Sequence, residues 1–217
     1  MDFPFIKEAY SQKKWAFVAD YIRLKVLFEH GGIYLDTDMM VLKSFNDLLN
    51  SNCFLGAEDL DYINCAIIGA EKNHGFIKTI MNYYSDLNFS KVSMNSITIP
   101  RITTKIFREQ YSFHGVFSKN VKYNDILIYS SVFFYPLPYN DSKNINNYKD
   151  YVKKDSFVIH LWNSSWIEHS EFYYLRRGEY QKGFKIVSKN LFYHKNLNLP
   201  YIKKVMSCIK ESFYMIF

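Results

Sequence analysis

Cysteine is scarce in this chain. Cys53, Cys65 and Cys208 are odd in number and sit at the spacings of no metal or redox motif, which excludes a disulfide framework and a zinc module. Reduced thiols in a cytosolic protein are the expectation. Long apolar runs are missing as well, and none approaches the roughly 18 residues that a membrane span needs. The opening Met1-Asp2-Phe3-Pro4-Phe5 lacks the basic-then-apolar order of a secretory signal. Internal repeats, low-complexity tracts and linker-like stretches are also absent. Excess positive charge is missing from most of the sequence: nine of the 27 basic and three of the 21 acidic side chains lie from Glu171 onward, leaving 18 of each before it. The net charge of +6 therefore belongs to the tail. A body with no basic excess argues against nucleic-acid binding.

What is present is an ordinary globular composition, 48% hydrophobic and 22% charged, with a high aromatic content of 19%. The 217 residues suffice for one sizeable core with an appendage. A short helical piece is expected around Ile6 to Tyr10. From Lys13 to His30, Phe17, Tyr21, Leu24 and Phe28 recur at the spacing of one helical face. Gly31 and Gly32 stand where a left-handed cap would end that helix. Ile33 to Asp36 reads as a short buried strand, Val41 to Asn50 as a turn and short helix, and Cys53 to Glu58 and Ile63 to Ala70 as further strands. Helices are expected over 75–90 and Ile97 to Gln110, with Pro100 in the first turn of the latter. Ile126 to Tyr129, Val132 to Tyr135 and Phe157 to His160 read as strands, and Asn140 to Asn147 as a polar loop. The aromatic, basic tail from residue 169 is weakly amphipathic over Tyr201 to Phe217; it suits either a packed terminal helix or one lying on an anionic bilayer.

Chemistry concentrates in Gly31-Gly32-Ile33-Tyr34-Leu35-Asp36-Thr37-Asp38. On an extended strand Asp36 and Asp38 would point the same way, with Cα atoms roughly 6–7 Å apart. Two carboxylates so placed can hold one hard divalent cation that keeps positions open for diphosphate oxygens. Asp20 and Arg23, i and i+3 on the preceding helix, form at least a surface ion pair. An Asp that accepts from hydroxyls and an Arg that forks onto oxyanions are also what a sugar phosphate requires. Glu58, Asp59 and Asp61 form an acidic loop, read either as a solvated turn or as a pocket wall. His160, at a strand end before Leu161-Trp162-Asn163-Ser164-Ser165-Trp166, is a further candidate ligand.

The run from Ala16 to Asp38 (Ala-Phe-Val-Ala-Asp-Tyr-Ile-Arg-Leu-Lys-Val-Leu-Phe-Glu-His-Gly-Gly-Ile-Tyr-Leu-Asp-Thr-Asp) closely resembles the signature of the DXD-containing sugar transferases. That family includes capsular polysaccharide and lipopolysaccharide glycosyltransferases of bacteria, and distantly the clostridial glucosylating toxins. Asn64 to Ala70, Phe133 to Pro136, and His160 with Ser165-Trp166 extend the resemblance over about residues 5 to 168. It implies an α/β fold of the GT-A (Rossmann-like) type over residues 1–168, with 169–217 as an extension. It also implies metal-dependent transfer, with retention, from a UDP- or GDP-sugar to a glycan or lipid-linked acceptor in bacterial surface polysaccharide synthesis. The expected setting is the cytoplasm, with peripheral contact at the inner membrane face through the basic tail.

Carried over residue by residue, Asp38 and His160 resemble the ligands of Mn²⁺ or Mg²⁺ and of the diphosphate. Asp36 matches the residue that reaches the donor's ribose and sugar. Asp20 and Arg23 look like the pair that grips the donor sugar, Tyr34 lies beside it, and Asn64 is a further substrate contact. Ser165 and Trp166 match the segment that closes over the diphosphate. Retention requires either a carboxylate nucleophile, for which Glu58, Asp59 and Asp61 are candidates, or same-face attack by the acceptor. Family members begin earlier, with a first strand and helix that build much of the nucleotide pocket, so this chain is expected to lack that segment. An alternative is therefore a degenerate or truncated carbohydrate-binding or scaffold protein. A haloacid dehalogenase-type phosphohydrolase also places Asp-x-Asp after a strand, but it expects Thr or Val where this chain has Met40.

Overall fold

Residues Pro4–Ser11 form helix α1, with proline in the first turn, and Trp15–His30 form α2. Phe17, Tyr21 and Leu24 are buried along one side of α2 and Phe28 packs beside them, as the spacing requires. Gly31 ends α2 with φ +71° and ψ −171°. This is not the left-handed cap expected but an extended conformation at positive φ that essentially only glycine adopts. A Cβ there would also lie 2.8 Å from the backbone nitrogen of Lys72. The computed structural model describes residues 3–87, 96–162, 170–176, 178–193 and 198–214. By its contacts the chain divides into two units, residues 1–163 and 164–217.

The first unit is α/β. Strands β1 (Gly32–Leu35), β2 (Met39–Val41), β3 (Cys53–Ala57) and β4 (Ile63–Ala70) are followed by helices α3 (Gly75–Ser85) and α4 (Ile99–Tyr111), then β5 (Val121–Tyr123), β6 (Ile126–Tyr129), the single turn α5 (Ser131–Phe134) and β7 (Val158–His160). Five strands form one mixed sheet in the order β1-β4-β3-β6-β5, in which β3 and β6 run parallel and the other pairs antiparallel. Alternation along β3 and β6 sorts the core into two clusters. Cys53, Leu55, Ile126 and Ile128 face α1 to α4, whereas Phe54 and Tyr129 face the cluster holding Leu48, Phe134, Tyr135 and Val158. Each fully buried side chain of this size contributes about 1.5–3 kcal/mol. Much of the aromatic content is spent on the first cluster, where Phe107 lies within 6.2 Å, centroid to centroid, of Phe76, Tyr111, Phe113, Phe117 and Tyr123.

β2 and β7 pair antiparallel in a separate two-stranded sheet, Met39 opposite His160. This pairing escapes the sequence pattern because three residues carry no periodicity. Two expectations are overturned. Val132 to Tyr135 is no strand: Ser131–Phe134 is a helical turn, with the Tyr135 N–H donating to the Ser131 carbonyl at 2.7 Å. A short apolar run can bury itself either way, and here Gly56 decides, because a Cβ on it would lie 2.5 Å from Phe134 and 2.7 Å from Tyr135. Asn140 to Asn147 is polar and unburied as expected, but it is not a plain loop: it lies in a run of 3-10 turns over Tyr139–Asp150 that starts after Pro138 and is interrupted by non-helical backbone at Asn144 and Asn147. The expected helix over 75–90 ends at Ser85, and residues 88–95 lie outside the described set.

The second unit holds α6 (Glu171–Arg176), α7 (Tyr180–Tyr193) and α8 (Leu199–Tyr214) around Leu175, Val187, Val205 and Cys208. Asn190 donates to Glu171 at 3.1 Å and Arg176 to Glu211 at 2.8 Å. All three cysteines are free and buried. No helix among the described residues is long and apolar enough to cross a membrane.

Candidate functional site

The two aspartates do not share a strand face. β1 stops at Leu35, and Asp36, Thr37 and Asp38 turn into β2, with the Met39 N–H donating to the Asp36 carbonyl at 3.0 Å. The turn, rather than strand alternation, brings the carboxylates together. Pairing of β2 with β7 then sets His160 beside Asp38: Nε2 lies 3.1 Å from Asp38 Oδ1, and the Leu161 N–H donates to the Asp38 carbonyl at 2.9 Å. Asp36, Asp38 and His160 each offer one ligand atom, and these atoms lie within 4.8 Å of one another.

Opposite donors around Mg²⁺ or Ca²⁺ stand about 4.2–5 Å apart, so the set has the right span for a divalent cation. Nδ1 of His160 is buried without a hydrogen-bond partner among the described residues. Nε2 is thus the ring nitrogen turned to the carboxylates. Two carboxylates and one imidazole are a donor set suited to a divalent cation.

Asp36 belongs equally to a second cluster. Arg23 on α2 places one terminal nitrogen 2.9 Å from Asp20 and the other 3.1 Å from Asp36 and 2.9 Å from the Cys65 carbonyl that accepts from it. The Tyr34 hydroxyl donates to Asp36 at 2.6 Å, and the guanidinium lies 4.6 Å from the centre of the Tyr34 ring. A bulge makes this possible. Opposite β3 the register jumps from Leu55–Ile68 to Gly56–Asn64, so residues 65–67 of β4 have no partner there. Without a β3 partner the Cys65 carbonyl takes Arg23, while on the other edge of β4 the Ala66 carbonyl continues the β1 ladder by taking the Asp36 N–H at 2.8 Å. Bulges commonly re-aim groups in this way next to functional sites.

Burial opposes the charge on Arg23, but Asp20 and Asp36 outweigh it and hold the guanidinium charged. Burial also raises the Tyr34 phenol, which keeps it a donor. For Asp20, burial is the largest influence and pushes the carboxyl from 3.8 up to about 6, against the pull of Arg23 and with added repulsion from Asp36. A carboxyl whose folded value lies above its unfolded one favours folding most when protonated. That contribution is present below 3.8 and is lost as the pH rises through about 6. The stability of the wild type relative to Asp20→Asn, followed by urea unfolding, is therefore expected to fall by roughly 1–3 kcal/mol between about pH 4 and pH 6.5 and then to level off. A difference that stays flat across that range would contradict the assignment.

Asn64 precedes the Cys65 carbonyl that takes Arg23. Its side chain accepts from the Ala66 N–H at 2.8 Å and donates to Glu58. Of the three acidic loop residues, Asp59 uses Oδ1 to accept from the Asp61 and Tyr62 N–H groups, both at 2.8 Å, as a turn residue does. Asp61 is exposed, and only Glu58 is half-buried. Ser165 and Trp166 lie outside the described residues.

Sequence reasoning gave no role to Trp162, whose ring centre is 4.0 Å from that of His160 and whose indole donates to the Leu137 carbonyl at 2.8 Å. Its φ of +50°, rare for a bulky side chain, is invisible in sequence. Tyr135, 5.8 Å from His160 between ring centres, was quoted in the resemblance but not as a site residue.

Residues 1–55 match a family described as a glycosyltransferase sugar-binding region containing a DXD motif. Residues 69–182 match the alpha 1,4-glycosyltransferase conserved region. The chain is similar to an uncharacterized glycosyltransferase of Acanthamoeba polyphaga mimivirus, 31% identical over 168 residues that cover 75% of this chain and 62% of that protein. It is also similar to the lactosylceramide 4-alpha-galactosyltransferases of Rattus norvegicus, 26% identical over 161 residues covering 67% of this chain and 40% of that protein, and of Homo sapiens, 25% over 153 residues covering 67% and 41%. The chain thus spans 62% of the length of the viral relative and 40% of that of the rat enzyme. No solved structure matches it significantly.

Proposed function

The chain belongs to the alpha 1,4-glycosyltransferase family, and on that premise we propose that it transfers a sugar, with retention at the anomeric carbon, from a UDP- or GDP-sugar to a hydroxyl of a lipid-linked or glycan acceptor. The observation that carries this reading is that Asp36 is shared by two clusters. One, with Asp38 and His160, is suited to a cation and a diphosphate; the other, with Arg23, Asp20 and Tyr34, is suited to a sugar. Galactose is the first donor sugar to try, and a glycolipid the first acceptor, because the mammalian relatives are named for them. A role in bacterial surface polysaccharide synthesis has only the sequence resemblance behind it. The phosphohydrolase alternative falls with the family assignment. We take the fold as GT-A, with the DXD turn leading off an edge strand of a mixed sheet as its support. Exposed Leu199, Ile202 and Met206 beside Lys203 on α8 support peripheral contact with an anionic membrane.

A divalent cation held by Asp38, His160 and Asp36 would neutralise the charge that builds on the leaving diphosphate. The chain's own residues supply the geometry. Asp20, Asp36 and the Cys65 carbonyl hold Arg23 in one orientation, and its fork in turn fixes the two carboxylates, so little ordering is left to do when a donor arrives. Tyr34 fixes the Asp36 carboxylate between the two clusters. In the transfer, the bond from the sugar's anomeric carbon to the phosphate oxygen breaks and its electron pair leaves with the nucleoside diphosphate. The acceptor oxygen bonds to that carbon, and its proton passes to an oxygen of the departing diphosphate.

The test is thermal unfolding with Mn²⁺ and a set of UDP- and GDP-sugars. A donor at about a hundredfold excess over its Kd stabilises by about 2.7 kcal/mol, roughly 5–10 °C for a chain of this size, and only with the cation present. Failure of every nucleotide sugar to stabilise the protein, with Mn²⁺ or Mg²⁺, would overturn the reading.

A further inference from the structure

A cleft of about 220 Å³ opens between the loop after β3 and the segment that follows α5, lined by Glu58, Asp59, Val132, Pro136, Pro138 and Lys153 among others. We infer that it is the acceptor subsite, holding one terminal sugar ring whose hydroxyl is bound by Glu58. The inference rests on the proposed glycosyl transfer and adds where the acceptor sits and what reads it.

Size is the first argument. Pockets for drug-sized ligands run to about 300–1,000 Å³, so this cleft suits a single ring and is too small for a nucleoside diphosphate. Its lining is the second. Pro136, Pro138 and Val132 offer apolar walls to the C–H face of a sugar, with Tyr135 buried behind them, while Glu58, Asp59 and Lys153 offer acceptors and a donor to its hydroxyls.

Position is the third argument. Tyr135 lies 5.8 Å from His160, ring centre to ring centre, and Gly56 on β3 lets it come so near the sheet. Glu58 takes the Asn64 amide, Asn64 takes the Ala66 N–H, and the Ala66 carbonyl takes the Asp36 N–H, so an unbroken hydrogen-bonded path ties the cleft to the DXD turn. Glu58 and Asp59 both line the cleft, but Asp59 is exposed and commits Oδ1 to its turn, so the half-buried Glu58 is the carboxylate better placed to hold a ligand hydroxyl. Its Asn64 partner fixes one oxygen and leaves the other to a ligand. Burial raises this carboxyl, against the opposing effects of Asn64 and His160.

The test needs no donor and no metal. Lactose, a soluble disaccharide ending in a hexose, is titrated by calorimetry into the full-length wild type, Glu58→Gln and Val132→Trp, whose indole would fill the cleft from its rim. The wild type is expected to bind. Glu58→Gln should weaken binding about tenfold, the size of one charge-assisted hydrogen bond, and Val132→Trp should remove it while circular dichroism stays native. No binding by the wild type, or equal affinity in all three proteins, would overturn the inference.

A second measurement separates roles. Under Mn²⁺ with UDP-galactose, Glu58→Gln should raise KM for lactose about tenfold and leave the donor KM unchanged. Loss of donor hydrolysis in the absence of lactose would instead make Glu58 a group acting on the donor carbon, and the acceptor assignment would fall. Failure of the glycosyl-transfer reading shows differently, as a wild type that binds lactose but no nucleotide sugar.

Discussion

Asp38→Asn is expected to lower sugar transfer by about 10²–10³-fold and to abolish stabilisation by Mn²⁺ with donor, while leaving the apo protein folded. The fold uses the main chain of this residue, whose carbonyl accepts from Leu161 at 2.9 Å, and an Asn side chain leaves that bond in place. What is lost is one negative ligand out of three within 4.8 Å of one another. A charge stabiliser aimed at a departing group is worth about that factor in other enzymes. The measurement is a rate with donor and acceptor at fixed Mn²⁺, paired with the thermal shift. Full activity in the variant, or activity that needs no divalent cation, would show that the Asp36–Asp38–His160 group is not the site.

Arg23→Met should act first on stability. Asp20 is buried and takes its direct ion pair from Arg23 at 2.9 Å, and Asp36 lies 3.1 Å from the same guanidinium. Removing the cation leaves a buried carboxylate uncompensated, at a cost of about 3–5 kcal/mol and a fall in melting temperature of about 10 °C. Because the cost comes from the orphaned charge, the double variant Asp20→Asn/Arg23→Met should recover part of it. Arg23→Lys should retain most of the stability yet lose donor affinity, since an ammonium cannot span Asp20, Asp36 and the Cys65 carbonyl as a fork does. A melting temperature unchanged in Arg23→Met would show that the pair is not energetically coupled.

These residues also mark how far the sequence could be read. α2 and the turn after it were legible because a 3.6-residue period and a glycine pair leave strong local marks. Asp20, Arg23 and the two aspartates fell within that reach. The partnership of Asp38 with His160 came from resemblance alone, since nothing periodic links positions 122 residues apart. The mechanism that gathers Asp36 and Asp38 was misread: alternation on a strand and reversal at a turn both bring carboxylates together, and the sequence pattern does not separate them.

The bulge over residues 65–67 was beyond reach, because a register jump depends on β3, an element contributed by other residues. Phe133-Phe134-Tyr135 reads as strand by composition, yet it folds as a turn because Gly56, far away in sequence, makes room for aromatic rings. Tertiary fit of that kind is what local propensity cannot encode.

The β2–β7 ribbon carries a consequence for folding order. Setting His160 beside Asp38 requires the segment between β6 and β7 to close back onto β2, at an entropy cost that comes before any contact offsets it. The five-stranded sheet and the Arg23 cluster use residues 20 to 129 and need no such closure. The Arg23 cluster can therefore assemble early, and the Asp36–Asp38–His160 group comes together only when β7 docks. Under the proposed function, ion capture is thus a certificate of complete folding, and a chain caught before that last strand settles would lack Phe157 and Val158 from its second core cluster and be inert.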